Sequence, residues 1–158
     1  MPAATPLPDS PQAWAAIDQR LDRIARSAFR ARIHLQPADR AFIAQRGRET
    51  VRQHAYDLLT RRLAPAFPPN DGRQTPWRGH PVFRAQHATG TCCRTCLARL
   101  HAIPKGQTLT AAQLDELVAL IDRWLARELG NDHGDGQGQE SREAAHQRPQ
   151  GDGPLFDS

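Results

Sequence analysis

Long apolar runs are missing from this chain of 158 residues. No stretch approaches the roughly 20 consecutive apolar residues that span a bilayer, so no membrane partner is expected. The opening MPAATPLPDSPQAW has neither the basic cluster nor the apolar stretch of a secretory signal, so nothing marks export and a soluble, cytoplasmic protein is expected. Alternating apolar–polar runs long enough to make strands are lacking, as is any internal repeat. Cysteine is scarce: the three present, Cys92, Cys93 and Cys96, crowd into five positions. A disulfide-stapled secreted domain needs an even, spaced set, so these thiols read instead as a metal or thiol site in a reducing compartment. Aromatics are only 6 % of the chain and mean hydropathy is −0.66, which implies a modest core and a very polar surface. Lysine is almost absent, with Lys105 alone against twenty arginines.

What is abundant is arginine, and it is unevenly placed. The net charge of +4 conceals a middle section, residues 30–105, that carries fourteen basic residues against four acids, while the tail from residue 131 is net −4. Planar guanidinium groups suit bidentate binding of phosphate or carboxylate. A polyanion, nucleic acid foremost, is therefore an expected partner, with Arg73, Arg78, Arg84, Arg94 and Lys105 on phosphates and Trp77 and Phe83 on bases. The plain alternative is that these arginines are a solvated face.

The apolar spacing predicts a mainly α fold: a small domain of about five helices, a long proline-rich loop and a Cys/His segment. Residues 1–10 are expected to form a flexible leader, residues 11–130 a single helical domain, and residues 131–158 a disordered Gly-rich acidic tail. Trp14, Ile17, Leu21, Ile24 and Ala28 define one stripe on a first helix from about Pro11 to Phe29. Pro37 opens a second helix that Gly47 closes, and a third runs from about Glu49 to Leu63. Residues 64–78 hold four prolines and an Asn-Asp-Gly turn signal, and so form an irregular loop. A fourth helix starts near Cys92 and ends before Pro104. The last begins at a Thr110/Gln113 capping box, buries Leu114, Leu117, Val118, Ile121, Trp124 and Leu125, and stops at Gly130.

The segment Gly79–His101, GHPVFRAQHATGTCCRTCLARLH, holds all three cysteines and three of the seven histidines. Zinc takes four tetrahedral Cys or His ligands, and a Cys-x2-Cys pair such as Cys93 and Cys96 is a common half of such a site. Iron accepts the same donors. The remaining ligands would come from Cys92, His87 and His80, or the distant His34 and His54. His101 is the weaker choice, because it lies five residues past Cys96 and leaves that face of the helix. A zinc knuckle is excluded, since its fourth ligand position is Gly106.

An enzymatic alternative uses the same residues. A metal with an open position could activate water, or Cys93 at a helix N-terminus beside Arg94 could act as a nucleophile with His87 as its base and Asp71 or Asp57 assisting. A thioredoxin-like disulfide between Cys93 and Cys96 lacks its βαβ setting. A third reading buries Cys93, Cys96, Leu97 and Leu100 as one apolar face of a metal-free helical interaction module.

The run from His34 to Leu109, notably RGHPVF, AQHATGTCCRTC and HAIPKG with PPNDGRQTP before them, resembles a bacterial family known as domain of unknown function 4186. The resemblance implies no activity. It implies that the positions of His34, His54, His80, His87, Cys92, Cys93, Cys96 and His101 belong together. This chain departs at Gly90, where the pattern has Ala, and at Leu100, where it has an aromatic residue; the leader and tail lie outside the pattern.

Overall fold

The structure, a computed structural model, describes residues 7–134. The first six residues of the expected leader, and the expected tail from residue 135 on, lie outside those residues. Among the described residues the fold is mainly helical, with no strand and seven helices: α1 (Pro11–Ile24), α2 (Ala28–Ala31), α3 (Pro37–Arg46), α4 (Arg48–Arg62), α5 (Pro81–Thr89), α6 (Arg94–His101) and α7 (Ala111–Gly134). No described helix is long and apolar enough to cross a membrane. One compact unit ends at Leu125 and a second begins at Ala126.

Each helix start has a local cause. Ser10 accepts from the Ala13 N–H at 3.1 Å and Pro11 fills the first position of α1. The single helix expected over 11–29 is two helices, because Ser27 leaves the helical path and caps α2, its hydroxyl accepting from the Arg30 N–H at 3.3 Å. Pro37 opens α3 and the buried Asp39 carboxylate accepts from the Gln36 N–H at 2.9 Å. Gly47, at φ +89°, closes α3 and opens α4. The expected capping box of α7 is present: the Thr110 N–H donates to Gln113 Oε1 and the Gln113 N–H to Thr110 Oγ1. That helix passes through Gly130 and continues to Gly134.

The element not foreseen is α5, and it is central. It packs against α1, α2, α3 and α4. Its limits follow from ordinary chemistry: the His80 side chain caps it, Pro81 occupies the first turn, and Gly90 ends it in the left-handed region at φ +74°. Seven of its nine residues are buried. The core around it takes Ile17 and Leu21 from α1, Val51, Ala55 and Leu59 from α4, Leu97 from α6, and Leu117, Val118 and Ile121 from α7. Each of these valine, leucine and isoleucine side chains contributes about 1.5–3 kcal/mol of transfer free energy.

No helix or strand lies between Arg62 and Pro81, as expected of the proline-rich loop. What fixes this loop is Arg94, only 1 % exposed. Its Nη1 donates to the carbonyls of Leu63, Ala64 and Pro65, and its Nη2 to those of Pro104 and Gln107. Arg94 therefore ties the loop after α4 to the loop after α6. Its expected place on a nucleic-acid surface is corrected by that burial, and Phe83, at 8 % exposed, is likewise unavailable to a base.

Candidate metal centre

The loop between α5 and α6 is held by a buried polar network. Gln86, on α5, accepts from the Thr91 N–H through its backbone carbonyl at 2.8 Å, and its side-chain Nε2 donates to the Thr91 carbonyl at 2.9 Å. Thr75, from the proline-rich loop, donates its hydroxyl to the Cys92 carbonyl at 2.8 Å. Cys93 is the extended N-cap residue of α6 and makes no side-chain cap bond. The cap is supplied from outside: Asp71 Oδ1 accepts from the Arg94 N–H at 3.2 Å and from Gln74 Nε2 at 3.1 Å. Asp71, expected as an acid–base group, is thus a helix cap, and Asp57 pairs with Arg61 on the surface of α4.

These constraints aim three thiols at one point. The Sγ atoms of Cys92, Cys93 and Cys96 all lie within 4.8 Å of one another, and Cys92 and Cys96 are 3.6 Å apart. Cys92 and Cys93 are buried and Cys96 is half-buried. Arg30, on α2, donates Nη2 to Cys96 Sγ at 3.4 Å and Nη1 to the His87 carbonyl. The thiol of Cys96 is pushed down to about 5, first by the hydrogen bond from Cys92 and then by those from Cys93 and Arg30, against the opposing effect of burial. Cys92 is pushed up by its bond to Cys96 and by burial, and Cys93 is pushed up by burial foremost. These opposed shifts favour Cys96 as the thiol that ionises first, beside the Arg30 guanidinium. The cysteine group could hold a metal ion.

The histidines are placed differently from one another. His101 accepts from Arg20 at Nδ1 (2.8 Å), so its Nε2 carries the proton and donates to the Thr89 carbonyl at 2.8 Å. Arg20 also pairs with Glu116, joining α1, α6 and α7. His80 accepts at Nδ1 from the Val82 N–H and meets His54 Nδ1 through Nε2 at 2.9 Å. Both ring nitrogens of His80 and of His101 are therefore committed away from the cysteines. His87 is likewise outside the group of donor atoms that lie within 4.8 Å of one another: its Nε2 faces the carbonyls of Thr75 (3.1 Å) and Pro76 (3.2 Å), so that nitrogen is the donor and Nδ1 keeps the lone pair. Its ring stacks on Trp77, with centroids 3.7 Å apart and planes 4° from parallel. His34 is exposed.

The His54–His80 pair carries a pH dependence. Burial foremost, then His54 and Arg46, lowers the His80 pKa from 6.5 to about 4, so the fold favours the neutral ring. Its contribution to stability is complete above pH 6.5 and is lost as pH falls toward 4. The urea midpoint is expected to drop between about pH 7 and about pH 4.5, and less steeply in His80→Gln, where no ring remains to be protonated. An equal drop in both proteins would assign the sensitivity elsewhere.

Sequence reasoning missed Arg30, sixty-six residues from Cys96, along with the positioning roles of Thr75 and Gln86. No local pattern marks any of them. Of the residues expected on a polyanion surface, Arg73, Arg78, Trp77 and Lys105 are exposed and Arg84 is half-buried. A family model described as domain of unknown function (DUF4186) matches residues 18–126. No solved structure matches the chain.

Proposed function

The chain belongs to that domain-of-unknown-function family, and from its cysteine geometry we propose that it is a metal-binding protein in which Cys92, Cys93 and Cys96 hold zinc. The observation that carries this is the convergence of three sulfurs, with Cys92 and Cys96 3.6 Å apart. Zinc–sulfur bonds of about 2.3 Å in a tetrahedron place neighbouring sulfurs roughly 3.8 Å apart, so the pair already stands near the spacing an ion needs. Ferrous iron would accept the same donors. Three thiolates leave a tetrahedral ion one position short. His87, which stands outside the converged sulfurs, could fill it by moving toward them: its Nε2–H is spent on two carbonyls and its Nδ1 lone pair is uncommitted by those bonds, and a ligating histidine commonly donates its other N–H to a carbonyl. With His87 bound the site is closed and structural, and with water there instead it is open and suited to catalysis.

Binding must displace the protons of Cys92 and Cys93, whose thiols are pushed up, while Cys96, pushed down to about 5, gives up its proton most readily. Cobalt(II) titrated into the reduced protein is therefore expected to give a thiolate charge-transfer band and to release about two protons per ion near pH 7. Cys96→Ser should weaken the band strongly, and His87→Ala should keep the charge transfer while shifting the ligand-field bands. A titration with no thiolate band would overturn the proposal. It would leave a second reading, favoured by the half-buried, readily ionised Cys96 beside Arg30: a reactive thiol that works without metal.

A further inference from the structure

Among the described residues three aromatics stand exposed on the surface: Phe29 is 51 % exposed, Trp77 40 % and Phe67 84 %. Two of these touch. Phe29, at the start of α2, meets Trp77, in the proline-rich loop, edge to face with centroids 6.1 Å apart. Trp77 lies parallel on His87. Guanidinium groups accompany both rings, with Arg30 5.6 Å from the Phe29 centroid and Arg84 5.7 Å from the Trp77 centroid. Arg30, Phe29, Trp77, His87 and Arg84 thus make one surface of planar cations and π faces, drawn from α2, the loop and α5.

We infer that this surface binds single-stranded nucleic acid, with bases stacking on Trp77 and Phe29 and phosphates taken by Arg84 and the neighbouring basic residues. Exposed aromatic faces and guanidinium planes are the recognition chemistry of unpaired bases, whereas duplex bases are stacked on each other and cannot use them. Charge complementarity points the same way: the section of chain that builds this surface has fourteen basic residues against four acids, and although Arg94 is buried, Arg73, Arg78 and Lys105 are exposed. Arginine supplies all but one of those charges, which suits both phosphate forks and base stacking. The inference stands without a bound metal, although Arg30 joins the two features by touching Cys96 and the His87 carbonyl.

The test is fluorescence anisotropy of a labelled oligodeoxythymidine strand of about 20 nucleotides, titrated with the full chain at low and moderate salt. Binding is expected at low salt, falling steeply as salt rises. Trp77→Leu, which keeps an apolar side chain but removes the stacking face, should weaken it about tenfold, and Arg84→Gln should both weaken binding and flatten its salt dependence. Circular dichroism of each variant confirms that the helices persist. Equal affinity for a duplex of the same length, equal competition by an acidic polypeptide such as polyglutamate, unchanged binding by folded Trp77→Leu, or no binding at low salt would each overturn the inference.

Discussion

Arg94→Leu is expected to cost roughly 4 kcal/mol of stability or more, enough to unfold a marginally stable domain. The side chain is 1 % exposed and its two terminal nitrogens reach five backbone carbonyls, those of Leu63, Ala64, Pro65, Pro104 and Gln107. A buried carbonyl that loses its donor costs about 1–3 kcal/mol, and a leucine offers no replacement. Buried ion pairs are often replaceable by apolar groups, because both charges leave together. Here the partners are main-chain carbonyls, which stay behind. The guanidinium also has a specific shape to fill: two nitrogens serve two loops at once. Arg94→Lys should therefore recover only part of the loss, since a single ammonium cannot reach both. Chemical denaturation of the three proteins checks this, and a loss below about 1 kcal/mol in Arg94→Leu would mean that the two loops are held by other contacts.

Zinc is expected to stabilise the reduced protein by about 4 kcal/mol when its free concentration is a thousand times the dissociation constant. The reason is that the three sulfurs converge only in the folded chain, where Gln86 and Thr75 fix the backbone of Thr91 and Cys92 and where Asp71 caps the start of α6. An ion held there fastens the junction between α5 and α6, and the unfolded chain, without that fixed geometry, binds it more weakly. A chelator should return the melting temperature to the metal-free value, and Cys96→Ser should melt at one temperature with or without zinc. A wild-type melt indifferent to zinc and chelator would count against a folded-state site.

How much of this could be read from the sequence depended on the range of the forces involved. The cysteine group was legible, because Cys92, Cys93 and Cys96 fall within five positions, although their final convergence depends on the long-range bonds that fix the loop between α5 and α6. The histidines were not. Their spacing places them in one segment, yet His101 is claimed by Arg20 from α1, and His80 by His54 from α4. Only contacts between distant elements assign those ring nitrogens. Helix α5 was hidden differently: Pro81 just inside its start and Gly90 just past its end are ordinary boundary signals, but the density of Cys and His in the segment drew the reading toward chemistry. Ser27 likewise marks the break between α1 and α2, although the apolar stripe runs on to Ala28.

Gly90 and Leu100 are neighbours in space. A Cβ added to Gly90 would stand 2.3 Å from Leu100 Cδ1, so the missing methyl and the leucine occupy one space. Gly90 also sits at φ +74°, where glycine alone is unstrained.

The most direct test of the central claim is elemental analysis of the untagged protein purified without added metal or chelator, beside the Cys93→Ser/Cys96→Ser double variant. About one zinc or iron ion per chain in the first and none in the second is the expected result. A wild-type protein with three reduced thiols and no thiophilic metal, or a variant that keeps its ion, would contradict a metal site at Cys92, Cys93 and Cys96.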